Sequence, residues 1–313
     1  MSKERSMMLL VGDNPFHGIS HLSQERSRAR GNAITHAEYA AELVEISLEN
    51  GANGFMFSVS ETTLSILEII RESEGDKSLS LYALSPYAYE YVRLATQVGG
   101  ISGLAKKVVI QIAVSGNVRA ILTGLKGVIR TDPLALMRTY LTYEVSRIKS
   151  SAGKKGNLNS VLLHEIITDM ALALNLEWLF KSYVDFMLKS GIKPGFETRN
   201  FAYLVNKFRE WSIDFRKIMI ATPFNKMGFQ MNPSRSECEK ALENLPRPNV
   251  IAMSILAAGY LKPPEAIRYI QSLPNLVGVV VGVSKKRHAR ETFKLLEEMY
   301  GTENIQHSSF LRK

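Results

Sequence analysis

The chain has 313 residues, of which 45% are hydrophobic and 22% are charged, a composition typical of a globular protein. Its one cysteine, Cys238, excludes a disulfide framework and any site that needs two thiolates from one chain. The net charge of +9 is compatible with an anionic small-molecule substrate, a phosphorylated cofactor or a basic surface. No zinc finger, RNP motif or continuous basic helix indicates a specific nucleic-acid partner.

The N-terminal stretch 1–12 is too briefly apolar for a secretory signal and lacks a cleavage-type run of small residues. No run of about 18 uncharged apolar residues indicates a transmembrane segment. We therefore expect a cytoplasmic protein.

Short apolar runs recur along the chain, and each is followed by a helical pattern. The runs are 7–12, 54–59, 79–84, 160–165, 193–198, 217–222, 250–255 and 277–283. The helical patterns that can be bounded are 36–50, 62–74, 175–190, 202–212, 236–245, 264–272 and 286–299. The runs are apolar almost throughout, as in parallel strands that are covered on both faces.

Eight strand–helix units predict an α/β protein, a (β/α)8 TIM barrel that spans residues 1–313 as a single domain. The alternative is an open doubly wound sheet, but the chain has no G-x-G-x-x-G sequence after a strand. Residues 85–157 form an oversized connection between strands 3 and 4 and are predicted to be a helical insertion. This insertion could be an extra helical layer, a lid, a membrane-surface helix or the interface of a homo-oligomer.

Candidate site residues follow the predicted strands, because the loops at the carboxyl ends of the strands build the active site of such barrels. The predicted catalytic residues are Asp13, His164, Glu197 and Lys226. The predicted substrate contacts are Asn14, His17, Glu61, Tyr87 and Asn225. Ionisable groups of opposite sign that converge in this way perturb one another's pKa values. His17 and His164 could form a two-histidine, carboxylate site with Asp13 or Glu197, but no metal is predicted.

Several segments resemble the aldo-keto reductase family. They are "AELVEISLENGANGFMFSVSETTL" (41–64), "SVLLHE" (160–165), "FKSYVDFMLKSGIKPGFETRNFAYL" (180–204), "VIAMSILAAGYL" (250–261) and "VVVGVSKKRHARETFKLL" (279–296). The last two are the most specific. The resemblance implies NADP as cofactor and His164 as the family's catalytic histidine. It also implies cofactor contacts at Asn200 for the nicotinamide, Ala257 and Gly259 for the pyrophosphate, and Ser284, Lys285, Arg287 and Glu291 for the adenosine phosphate.

The other catalytic residues of that family are missing. Met56 stands at the position of the family's aspartate, no tyrosine follows it before Glu61, and the third strand ends without a lysine. Three hypotheses remain open. The first is a divergent oxidoreductase that binds NAD(P) and uses a different acid, with His164 as the first candidate. The second is a lyase, isomerase or hydrolase that acts on a small anionic substrate through Asp13, Glu197 and Lys226. The third is a non-catalytic ligand-binding barrel.

Overall fold

A computed structural model describes residues 7–18, 36–73, 78–86, 133–245 and 249–301. Parallel strands form a closed barrel in the order β1-β2-β3-β4-β5-β6-β7-β8. The strands are β1 (Met8–Gly12), β2 (Gly54–Ser58), β3 (Leu79–Ser85), β4 (Gly156–Leu163), β5 (Lys193–Glu197), β6 (Met219–Pro223), β7 (Val250–Met253) and β8 (Leu276–Gly282). The predicted (β/α)8 barrel and each of its predicted strands are therefore confirmed.

Helices follow the strands and cover the outside of the barrel. In the described ranges they are α1 (Ala37–Glu49), α2 (Glu61–Glu72), α3 (Pro133–Ala152), α4 (Glu165–Ala173), α5 (Glu177–Lys189), α6 (Phe201–Glu210), α7 (Arg235–Glu243), α8 (Pro263–Gln271) and α9 (Lys286–Gly301). The short helix α4 has no counterpart among the bounded helical patterns of the sequence. Within the described residues, no helix combines the length and apolarity needed to cross a membrane.

The interior of the barrel is filled with side chains. Residues paired across neighbouring parallel strands share a face, so the register from Gly12 to Met56 and on to Tyr82 follows one inward-facing layer. The buried cluster inside the barrel consists of Leu10, Met56, Tyr82, Leu84, Leu162, Met219, Ala221 and Ile251. Because this cluster fills the barrel axis, a substrate can reach the barrel only at one of its ends.

The outward faces of the strands pack against the helices in a second, larger core. Phe180 of α5, Phe196 of β5 and Phe208 of α6 form an aromatic group with ring centroids 5.0–5.5 Å apart. Burial on both faces explains why the strands read as continuous apolar runs.

The predicted insertion is described only in part. Residues 87–132 lie outside the described residues. The part 133–152 forms the long helix α3, which packs against α2 and leads into β4. Arg147 of α3 forms an ion pair with Glu61, the first residue of α2. This portion of the predicted insertion therefore serves as one of the helices that cover the barrel wall.

Candidate functional site

The loop after β1 fixes an aspartate and a histidine at the carboxyl end of the barrel. Asp13 lies directly after the strand, and a 3-10 turn, Asn14–His17, follows it. The Phe16 side chain is fully buried and anchors this turn in the core. The Oδ2 atom of Asp13 lies 3.0 Å from Nε2 of His17 and accepts the backbone N–H of Ser58 at 2.6 Å. The Asp13 carboxylate thus joins β1 to β2 and holds the imidazole of His17.

His164 is the residue between β4 and α4. Its Nδ1 atom accepts the backbone N–H of Ile166 at 3.3 Å and so caps the N-terminus of the helix. A neutral imidazole that accepts through Nδ1 carries its proton on Nε2. Burial lowers the pKa of His164 to about 4, although the negative charge of Asp13 opposes the shift. At neutral pH His164 is therefore an uncharged group that donates through Nε2.

Glu197 ends β5 and points into the mouth of the barrel, because it pairs in register with the inward-facing Ala221. Its Oε2 atom accepts the backbone N–H of Glu165 at 3.2 Å. Burial raises the pKa of Glu197 to about 8, and the negative charges of Glu165 and Asp13 add to the increase. At neutral pH Glu197 is consequently a carboxylic acid with a proton to donate.

The turn from β5 to α6 is tied to α4 by a second group of polar side chains. The Thr198 hydroxyl donates to Oδ1 of Asp169 at 2.5 Å, and the backbone N–H of Arg199 donates to Oδ2 at 3.2 Å. The Nε atom of Arg199 lies 2.5 Å from Oε2 of Glu165. Burial raises the pKa values of Asp169 and Glu165, and their hydrogen bonds and the Arg199 charge oppose these increases. This network holds Arg199 beside Glu197.

The structure brings together four of the predicted site residues. The charge of Asp13 acts on both His164 and Glu197, and His17 is bound to Asp13. They come from the ends of β1, β4 and β5, which the closure of the barrel brings to one mouth. The sequence analysis also placed Lys226 in this cluster, and the catalytic and substrate-binding roles of the four residues stay predictions.

Lys226 does not join this cluster. Its Nζ atom lies 2.8 Å from Oε1 of Glu265, and both side chains are exposed. The pair lines a surface cleft of about 620 Å³ between α7 and α8. The loop after β6 carries Lys226 to the outside of the barrel. A position shortly after a strand was therefore not sufficient to place this residue at the mouth.

The predicted substrate contacts lie in different surroundings. The Asn225 side chain is buried and bonds both the N–H and the C=O of Phe229, so it holds the loop after β6 together. Glu61 extends to the surface, where 75% of its side chain is exposed and it pairs with Arg147. Asn14 is exposed on the β1 loop. Tyr87 lies outside the described residues.

The predicted cofactor contacts occupy the same end of the barrel. Asn200 precedes α6, and its backbone N–H donates to the Thr198 hydroxyl at 2.9 Å. The turn after β7, Ala257–Gly259, has positive φ angles of 45°, 59° and 94° at its successive residues. Such angles are strained for alanine, and strained turns concentrate at ligand sites.

The segment after β8 presents charged side chains at the start of α9. Ser284 is half-buried and Lys285 is exposed, immediately before the helix begins. Arg287 lies 3.6 Å from Glu291 on the first turns of the helix, and both side chains are exposed. A helix N-terminus with an adjacent lysine has the polarity that a phosphate group requires.

The sequence analysis assigned no role to Glu165, Asp169 or Arg199. Glu165 and Arg199 stand next to predicted residues at strand ends, so their position was a usable signal. Asp169 lies in α4, a helix that was not predicted. No sequence pattern indicates that its side chain contacts Thr198. Within the described ranges, no group of three or more His, Cys, Asp or Glu side chains is arranged to hold a metal ion.

No protein-family model and no curated protein matches the chain. Solved structures match it in fold, and two of them are each described as a candidate aldo-keto reductase from Pseudomonas aeruginosa. The first has a TM-score of 0.58 at 11% identity and covers 94% of this chain and 91% of its own. The second has a TM-score of 0.57 at 11% identity and covers 94% and 90%. At this identity the likeness establishes the barrel fold over nearly the whole chain.

Proposed function

We propose that this protein is an NAD(P)H-dependent oxidoreductase that reduces a small carbonyl compound, with Glu197 as the proton donor. The observation that carries the proposal is the buried carboxyl group of Glu197 at the carboxyl end of the barrel, whose pKa is raised by burial to about 8. The fold that the chain shares with two candidate aldo-keto reductases supports the same reaction class by analogy.

The chemistry assigns separate tasks to the residues at the mouth. Reduced nicotinamide, when bound, would supply the hydride for the carbonyl carbon. Glu197 transfers its proton to the carbonyl oxygen, and the resulting carboxylate is reprotonated from solvent. His164 donates a hydrogen bond through Nε2 and stays neutral, because its pKa is about 4. Glu197 therefore serves as the proton donor, the role for which the resemblance to the reductase family supplied no residue in this chain.

The residues around the mouth fit a dinucleotide at two points. Ser284 and Lys285 stand before the N-terminus of α9, where the backbone N–H groups attract a phosphate. The strained turn Ala257–Gly259 lies after β7, the neighbour of β8 in the barrel. Asn200 lies at the start of α6, a short loop away from the proton donor Glu197.

A second candidate function rests on the contact between Asp13 and His17. A carboxylate that holds an imidazole at 3.0 Å is a general-base arrangement, and the protonated Glu197 would complete an acid–base pair. Such a pair supports a lyase, isomerase or hydrolase reaction without a dinucleotide. Lys226 has no part in this version, because it is bound to Glu265 on the outer surface.

Dinucleotide binding distinguishes the two functions. We expect NADPH to quench tryptophan fluorescence saturably at sub-millimolar concentration, and Lys285→Gln to weaken this binding. Lys226→Met removes a lysine that is paired with Glu265 at the surface and serves as the matched control, with unchanged affinity. The absence of saturable binding of NADPH and NADH would refute the oxidoreductase proposal.

Turnover tests the role of Glu197. In assays of NADPH oxidation with a panel of aldehydes and ketones, Glu197→Gln should lower kcat by about 10²–10⁴-fold and leave NADPH affinity unchanged. The activity of the unmodified protein should fall as the pH rises through about 8, because the Glu197 proton is lost. A pH profile that is the same in both proteins would contradict this role.

A further inference from the structure

Arg199 is held at the barrel mouth by only one edge of its guanidinium. Its Nε atom is bound to Glu165, and its backbone N–H is bound to Asp169. Its Nη1 and Nη2 atoms make no hydrogen bond with the part of the chain that the structure describes. Two parallel donors at fixed spacing are therefore available to a ligand.

The free edge of this arginine is accessible and close to the proposed proton donor. The side chain is 30% exposed. The guanidinium is bound through Nε to the carboxylate of Glu165, and the backbone N–H of Glu165 donates to the carboxyl group of Glu197, so a single residue links Arg199 to the proposed proton donor. A small molecule that contacts Glu197 is thus within reach of Arg199.

We propose that the substrate is a 2-oxo carboxylate, whose carboxylate is bound by the two Nη groups of Arg199 while its carbonyl oxygen faces Glu197. The identity of the substrate rests on the proposed oxidoreductase function, whereas carboxylate binding at Arg199 does not. A guanidinium matches a carboxylate with two parallel hydrogen bonds, which a point charge such as lysine does not provide. Arg199 is then the residue that determines specificity.

The charges around the site favour a monoanion over a dianion. Arg199 already shares its charge with Glu165, and Asp13 carries a further carboxyl group nearby. A dianionic phosphate would meet more repulsion from these groups than a carboxylate would. Glu165 competes with the ligand for the same guanidinium, so its charge should limit the affinity for any anion.

Calorimetric titration of the whole protein with benzoylformate and with its methyl ester tests the proposal. The two probes share the aromatic ring and the ketone, but only benzoylformate has a carboxylate. We expect benzoylformate to bind at least about 10-fold more tightly than the ester, since the ester cannot use the charge-assisted pair. Inorganic phosphate at the same concentration should not displace benzoylformate.

Three variants test the assignment to Arg199. Arg199→Lys retains a positive charge for Glu165, so the fold is preserved, and it should weaken benzoylformate binding by about 10-fold or more. Glu165→Gln removes the competing charge and should tighten binding several-fold, which a purely structural role of the pair does not explain. Lys226→Met should change nothing. Thermal unfolding of each variant verifies the fold.

The proposal is overturned if the ester binds as tightly as the acid, if Arg199→Lys binds benzoylformate with unchanged affinity, or if phosphate displaces it. Its failure is distinguishable from that of the proposed function. Benzoylformate binding without dinucleotide binding would leave Arg199 as a carboxylate site on a protein that is not a reductase. Dinucleotide binding without benzoylformate binding would leave the reductase with another substrate class.

Discussion

Replacing Glu197 with glutamine should stabilise the protein at neutral pH. In the folded protein the pKa of Glu197 is raised from 4.5 to about 8. Between these values the folded protein holds a proton that the unfolded chain releases, so the free energy of unfolding falls as the pH rises from 4.5 to 8. One pKa unit corresponds to about 1.36 kcal/mol, so the loss reaches roughly 3 kcal/mol at pH 7. A glutamine at this position carries no charge, and its side-chain oxygen can still accept the Glu165 N–H.

His164 produces the opposite dependence at lower pH. Its pKa falls from 6.5 to about 4 on folding, so the unfolded chain binds more protons between these values and the free energy of unfolding rises with pH. The contributions of His164 and Glu197 oppose one another between 4.5 and 6.5. From pH 6.5 to 8 the free energy of unfolding depends on pH through Glu197 and no longer through His164. This interval is therefore the window in which Glu197→Gln is most informative.

Urea denaturation at several pH values between 6.5 and 8 measures the effect. The difference between Glu197→Gln and the unmodified protein should grow by about 1 kcal/mol per pH unit in this interval, because the slope halves as the pH reaches the folded pKa. At pH 7 we expect an unfolding temperature higher by about 6 °C, from roughly 2 °C per kcal/mol for a chain of this size.

The matched control is Glu61→Gln, a substitution at an exposed ion pair, which should change the unfolding free energy by less than about 1 kcal/mol. The reasoning is refuted if Glu197→Gln is no more stable than the unmodified protein at pH 8, or if the difference between the two proteins does not depend on pH.

Three further substitutions test the packing and the turns that support the site. Asp169→Asn removes one of the two acceptors used by the Thr198 hydroxyl and the following backbone N–H, and should cost about 1–3 kcal/mol in urea denaturation. Gly195→Ala places a Cβ 2.4 Å from Cγ of Leu162 inside the barrel and should cost about 1–3 kcal/mol, measured in the same way. Ser60→Ala removes the N-cap of α2 and should lower the unfolding free energy by about 1 kcal/mol. Stability equal to that of the unmodified protein would contradict the stated cause in each case.

The barrel was predictable because its strands are buried on both faces. Burial of this kind leaves continuous apolar runs, such as "GFMFS" in β2 and "MIATP" in β6, and helical patterns separate them. Helix α4 was not predicted, because it lies between the end of β4 and α5 and is followed after one residue by Asn175 with a positive φ of 55°. A short amphipathic segment between a strand and a longer helix does not establish its own periodicity.

The position of Asp13, His164 and Glu197 at one end of the barrel follows from the sequence, because each lies at the end of a strand and parallel strands end on the same side. The tertiary structure was needed to show that Lys226 binds Glu265 outside the barrel, whereas Arg199 lies beside the cluster. It also decided which group holds a proton at pH 7. A pKa depends on burial and on charges from other segments, and neither quantity is contained in local sequence.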